Sequence, residues 1–154
     1  VEGMFINCLK LRLNEDQILV DLNQIQMVLA LPELDKLPTE DDAVAGLLNF
    51  HSQFIPVYHL ASLVDEQKPI YDLNTPIVIC SLISGLIGLL VSEAIEVCFI
   101  SMDNIQKSAL LSPYPYVAGI LEGEKVSSWL LNLEELMHFH QLKLKNHESL
   151  SSKA

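Results

Sequence analysis

The sequence predicts a mainly β protein built as two similar lobes and closed by a C-terminal helix. Three observations carry this. Short apolar/polar alternations joined by polar turns read as β-hairpins, an apolar motif returns once at a fixed distance, and a helix-start signal appears near the end.

The first element is "CLKLRL-NEDQ-ILVDL". Cys8, Leu9, Leu11 and Leu13 are interleaved with Lys10 and Arg12, and Asn14-Glu15-Asp16 makes the turn. A strand around Ile25-Gln26-Met27 follows. "LPELDKLPTEDDA" is a loop with two prolines and five acids. "GLLNFHSQFIPVYHL", Gly46 to Leu60, reads as two apolar strands about a polar turn. "VDEQKPIYDLNTP" is a second polar loop. Leu73 to Ser92 carries no charge over 20 residues, about the length of a membrane helix. Its β-branched start and the Ser84-Gly85 break make it a hairpin instead. "SMDNIQKSALLSPYPY" contains a short helical turn before Pro113. Asn132 with Glu135 three residues later is a capping box. After it, Leu133, Leu136, Met137, His140 and Leu144 fall on one helical face. From about Lys145 the tail is expected to fray, so residues 145–154 lie outside the predicted domain, 1–144.

"VAGLL" at 44–48 returns as "VAGIL" at 117–121, 73 positions later. Leu60 and Leu133 each follow their glycine by 14 positions, and Ile25-Gln26-Met27 matches Ile95-Glu96-Val97 at a separation of 70. Two copies at so long a spacing indicate an internal duplication, not a solenoid. The lobes span about 5–64 and 76–136, with the chain free to exchange strands between them.

The chain has 154 residues, half of them hydrophobic, and a net charge of −11. That length suffices to bury a core without metal or disulfide. The charge excludes a phosphate-neutralising surface, so no nucleic acid is expected, and an anionic membrane would repel it. Cys8, Cys80 and Cys98 are odd in number and widely spaced, as expected of buried free thiols in a reducing cytoplasm. No signal peptide pattern opens the chain. It begins at Val1 without an initiator Met, which keeps open a piece trimmed or excised from something longer.

Chemistry is hard to find. There is no phosphate loop, His-Glu-x-x-His or Gly-x-Ser-x-Gly. His138 and His140 sit two apart on a helix, where side chains do not converge on one metal, and read as helix surface and edge. His51 and His59 lack an orienting third group, and His51 reads as a polar turn. Glu40-Asp41-Asp42 lacks the glycine spacing of a calcium loop and reads as solvated. Tyr114 and Tyr116 alternate with prolines as a stiff strip, and Trp129 reads as core or interface. No catalytic residue, metal or cofactor is expected. What remains is binding, through strand edges and the seam between lobes.

The order of pieces resembles the CheW-like family of bacterial chemosensory adaptors over about residues 5 to 138. The pieces are "DLNQIQMV" (21–28), "KLP" (36–38), "AGLLNFHS" (45–52), "FIPVYHL" (54–60), "GLLVSEAIEV" (88–97) and "VAGIL" (117–121). The resemblance implies two small five-stranded, SH3-like β barrels packed on a shared seam. It implies a non-enzymatic, cytoplasmic adaptor, located at receptor arrays, that couples a chemoreceptor's cytoplasmic tip to a histidine kinase's regulatory domain. The receptor tip would dock between the lobes, and the kinase domain would pack pseudo-symmetrically. The system served is flagellar chemotaxis or pilus-driven motility.

By the same resemblance, the candidate partner-interface residues are Ile25, Met27, Asn49, Phe50, His51, Ser52, Phe54, His59 and Ser92. Several depart from the family's pattern. Its Asn-x-Arg-Gly turn is Asn49-Phe50-His51-Ser52 here. A histidine lacks arginine's permanent charge and planar fork, and Ser52 replaces a glycine suited to positive φ. Met27 stands for a frequent Glu, His59 and Ser92 for Asp, and Asn132 for a late Asp. One alternative is the same fold cut from a kinase or a receiver-fused adaptor. Another is a small-molecule-binding β protein using the inter-lobe groove.

Overall fold

The structure is a computed structural model that describes residues 4–152, with side chains described for 4–146. The first hairpin is β1 (Phe5–Leu13) and β2 (Asp16–Asp21), with Leu13 opposite Asp16. A 3-10 turn at Leu22–Gln24, capped by the Asp21 carboxylate on the Asn23 amide, leads to β3 (Ile25–Ala30). A second hairpin pairs β4 (Val44–Phe50) with β5 (Gln53–His59), and one helical turn, α1 (Leu60–Leu63), follows. The uncharged stretch is a hairpin, β6 (Pro76–Leu82) and β7 (Gly85–Leu90). Then come β8 (Glu93–Ser101), the two-residue β9 (Ile105–Gln106), β10 (Val117–Leu121), β11 (Ser128–Leu131) and α2 (Leu133–Ser152). Among the described residues, no helix is long and apolar enough to cross a membrane.

Two sheets form, each assembled from both halves of the chain. One runs β8-β1-β2-β11-β10-β9, the other β3-β6-β7-β5-β4. The plan repeats. In each sheet a hairpin takes the crossing strand of the other hairpin on one side. On its other side it takes, in parallel, the last strand of the other half. Trp129 lies opposite Ile18 in the first sheet, and Tyr58 opposite Leu89 in the second. The five-stranded barrels implied by the resemblance are seen here as a six-stranded and a five-stranded sheet, without a closed ladder. The first sheet curls, because its two end strands, β8 and β9, are joined only by the 3-10 turn Met102–Asn104.

The repeated "VAG-hydrophobic-Leu" motif has a steric cause. A Cβ on Gly119 would lie 2.3 Å from the Ile105 Cγ2 and 2.9 Å from the Gln106 carbonyl oxygen. One on Gly46 would lie 2.6 Å from the Asp35 carbonyl oxygen. Beside each glycine the incoming segment pairs with the strand: Gln106 with Ile120, and Asp35 with Leu47 through two 2.8 Å backbone bonds. Any side chain would hold the two backbones apart.

Strand alternation sorts the apolar residues into three cores. Leu9, Leu11, Leu13, Ile18 and Val20 of one hairpin and Val78, Cys80, Ile87 and Leu89 of the other meet with both helices in a central seam. The opposite faces fill the sheets' own interiors: Ile55, Val57, Ile77 and Ile79 in one, Cys8, Leu19, Ile100 and Leu130 in the other. A seam side chain such as Leu11, fully buried, is worth about 1.5–3 kcal/mol relative to exposure. The Lys10–Glu96 and Arg12–Glu93 ion pairs are exposed and add little.

The Asn132 carboxamide oxygen accepts from the Glu135 amide at 3.1 Å, the expected cap, and Leu133, Leu136 and Met137 enter the seam. The helix continues to Ser152, past Lys145 where the sequence suggested fraying. Once capped and docked, each added residue contributes a hydrogen bond without a new nucleation cost.

Candidate partner interface

The β4–β5 hairpin carries most of the candidates. Phe50 pairs with Gln53, leaving a two-residue turn, His51-Ser52, with φ of +50° and +63°. Positive φ at both positions is the type I′ geometry that matches the twist of paired strands, and it usually selects Asn-Gly. The turn therefore keeps its left-handed form although Ser52 replaces a glycine, at the expense of backbone strain. Asn49, His51 and Ser52 are exposed, and Phe50 is half-buried against the second sheet's interior, its ring edge-on to His51 at 4.3 Å. Phe54 is 58% exposed on the outer face of β5. It borders a groove of about 290 Å³ with Pro56, Ser84, Gly85, Met137 and Gln141.

His59 and Ser92 are not part of this tip. At ~3.3 Å per residue along β5, His59 lies roughly 20 Å from Ser52. The His59 Nδ1 and the Tyr71 hydroxyl share a hydrogen bond of 2.9 Å, the two rings stacking. Burial, then the Lys68 charge, lowers the His59 pKa, while burial pushes the Tyr71 phenol up to about 12. The Ser92 hydroxyl accepts from the Asn14 amide at 2.9 Å and fixes the β1–β2 turn. Ile25 is half-buried against the seam, and Met27 is 39% exposed on the end strand β3.

Two polar readings change. His140 is buried, and its Nε2 donates to the Asp41 carboxylate at 2.8 Å, so it is not a helix edge. Asp41 also accepts from the Ala43 amide and is no freely solvated loop acid. Tertiary packing of α2 on the β3–β4 connection brings them together across 99 residues. His138 is exposed, Tyr116 is buried in the seam against Phe139, and Trp129 is half-buried beside it.

A further apolar exposure forms a continuous stripe on one strand. Along β8, Ile95, Val97 and Phe99 alternate outward at 38%, 57% and 69% exposure, and Phe99 stacks on Phe5 of β1 at 4.8 Å. Val97 lies opposite the buried Leu9, so this stripe extends the seam-facing side of the sheet beyond the seam. Val28 is likewise exposed on β3, the corresponding end strand of the other sheet. The signal was present in "EAIEVCFIS", whose alternate positions are apolar on both faces over the second half.

The described residues contain no group of three or more His, Cys, Asp or Glu placed to hold a metal. Burial raises the Cys8 and Cys80 thiols to about 11 and about 12, so both stay protonated near neutral pH and react slowly. The side chains present can offer shape, apolar surface and strand edges to a partner.

The comparisons with known proteins agree with this architecture. The family model of the CheW-like domain matches residues 7–141. A solved structure described as the scaffolding protein TtCheW from Thermoanaerobacter tengcongensis superposes with a TM-score of 0.75 at 20% identity. The match covers 83% of this chain and 89% of that one. No curated protein matches.

Proposed function

Because the chain belongs to the CheW-like family, we propose that it is a non-enzymatic cytoplasmic adaptor coupling a chemoreceptor to a histidine kinase. The observation that carries this reading is the exposed apolar stripe of Ile95, Val97, Phe99 and Phe5. Such a surface on an otherwise acidic chain is the mark of a protein-binding face. The fold it shares with a protein described as a scaffold supports the same role.

The mechanism is geometric. The duplicated, strand-exchanged sheets fix two kinds of surface on one rigid body. The stripe on β8 and β1, with Val28 on β3, receives the apolar face of a receptor's cytoplasmic tip. The β4–β5 hairpin, through Asn49, Phe50, His51, Ser52 and Phe54, meets the kinase's regulatory domain. Holding both partners in register lets a change in one bear on the other, without chemistry in the adaptor. The acidic surface favours partners with a basic rim.

The test is binding of the purified chain to the receptor tip and to the kinase regulatory domain from the same genome. Phe99→Glu should weaken the receptor tip by about tenfold or more, as for an apolar anchor at an interface, with kinase-domain binding and melting temperature unchanged. His51→Arg should act on the kinase domain alone. A wild-type chain that binds neither partner overturns the reading.

A further inference from the structure

Cys8 and Cys98 stand directly opposite each other in the β1–β8 ladder. Both point into the interior of the first sheet, Cys8 as a core member and Cys98 packed against it. Both are free thiols. Directly opposed residues in an antiparallel pair have Cα atoms about 4.5–5.5 Å apart, within the range that bridged cysteines span. Their Cβ atoms are typically about 4.5–5.5 Å apart, at or beyond the upper end for a relaxed bridge. A bond here would draw the strands together and store strain, and strained bridges are the readily reduced ones.

We propose that Cys8 and Cys98 form a reversible cross-strand disulfide when the protein meets a peroxide. Cys98 is the half-buried member and the first attacked. Its sulfur takes an oxygen from hydrogen peroxide, the O–O bond breaks, water leaves, and a sulfenic acid remains. The Cys8 sulfur then attacks the Cys98 sulfur. The S–S bond forms as the S–O bond breaks, and hydroxide leaves with the Cys8 proton as a second water. Two thiols lose two electrons and two protons, and one peroxide becomes two waters. Burial of both thiols, and the Glu96 carboxylate beside Cys98, make the reaction slow, while Lys10 assists it by favouring the thiolate. The bond would tie β8, an end strand carrying Val97 and Phe99 on its outer face, covalently to β1.

Cys80 is an internal control, fully buried in the other sheet between Ile25 and Ile87. The experiment treats the native chain with hydrogen peroxide, then counts free thiols and maps peptides without reduction. The expected result is a fall from three thiols to one, a Cys8–Cys98 cross-linked peptide, reversal by dithiothreitol, and no intramolecular bridge in Cys98→Ser. The proposal is overturned if all three thiols survive an oxidant dose that exhausts free cysteine. It is equally overturned if Cys98 ends as a sulfinic acid or an intermolecular disulfide with Cys8 still reduced.

Discussion

Replacing Ser52 with glycine should make the protein more stable, although it removes a side chain. Ser52 sits at φ +63° in the two-residue turn between β4 and β5. A left-handed conformation costs a residue with a Cβ about 1–2 kcal/mol, and glycine escapes that cost. Against it stands the extra freedom glycine gives the unfolded chain, about 0.4–1 kcal/mol. Among the described residues the Ser52 side chain makes no hydrogen bond that would be lost, and it is exposed. The net expectation is a gain of about 0.5–1 kcal/mol. For a chain of this length that is roughly 1–4 °C in melting temperature. Thermal melts by circular dichroism, with urea titrations as a second reading, suffice to see it. Ser52→Val, β-branched at positive φ, should shift both in the opposite direction. A glycine variant that melts lower than the parent would mean that the turn is not left-handed at this residue, and the account of the hairpin would be wrong.

Two further outcomes follow from geometry and charge. Gly119→Ala should destabilise by about 1–3 kcal/mol, the usual range for overpacking, since the new Cβ meets Ile105 and Gln106. Hydrogen exchange should then speed up at Gln106 and Ile120, and unchanged protection there would refute the close-approach argument. Burial, with the neighbouring Asp16 carboxyl, raises the Glu66 pKa from 4.5 to about 7. Between those values the folded chain binds the proton that the unfolded chain has released, so this group's stabilisation fades as pH rises from 4.5 and is gone above 7. Glu66→Gln, neutral throughout, should flatten the fall in urea midpoint between pH 5 and 8, and an unchanged slope would show that Glu66 is not its source.

Much of the architecture was legible because it is written in local patterns. Alternation in "CLKLRL" set the buried face of β1, the Ser84-Gly85 break turned an apparent span into a hairpin, and Asn132 with Glu135 marked the start of α2. The repeat pointed to a duplication, and Gly46 and Gly119 explain why it is those residues that recur. What was not legible depends on partners distant in sequence. Periodicity shows which residues of β3 and β8 share a face, but not which sheet a strand joins. Nothing near His140 in sequence announces Asp41. His59 and Ser92 looked like exchanged interface residues by alignment to a pattern. The pattern does not show their hydrogen bonds to Tyr71 and to the Asn14 amide, which tie them to the scaffold. The stripe on β8 is not legible because a strand apolar on both faces reads as fully buried until its neighbours are known.

The exchange of strands also sets the order in which this protein can come into being. As the chain leaves the ribosome, β1 and β2 emerge first, yet Gln17 waits for Ser128, 111 residues later, and Ile18 for Trp129 beside it. The second sheet can be completed once β7 appears, since β3, β4, β5 and β6 precede it. The first must hold an open edge beside β2 until β11 is synthesised. Such long-range closure slows folding and leaves a nascent strand edge exposed to other chains. Between the synthesis of β7 and that of β11, a cell making this protein thus holds one finished sheet beside one that is still unsatisfied.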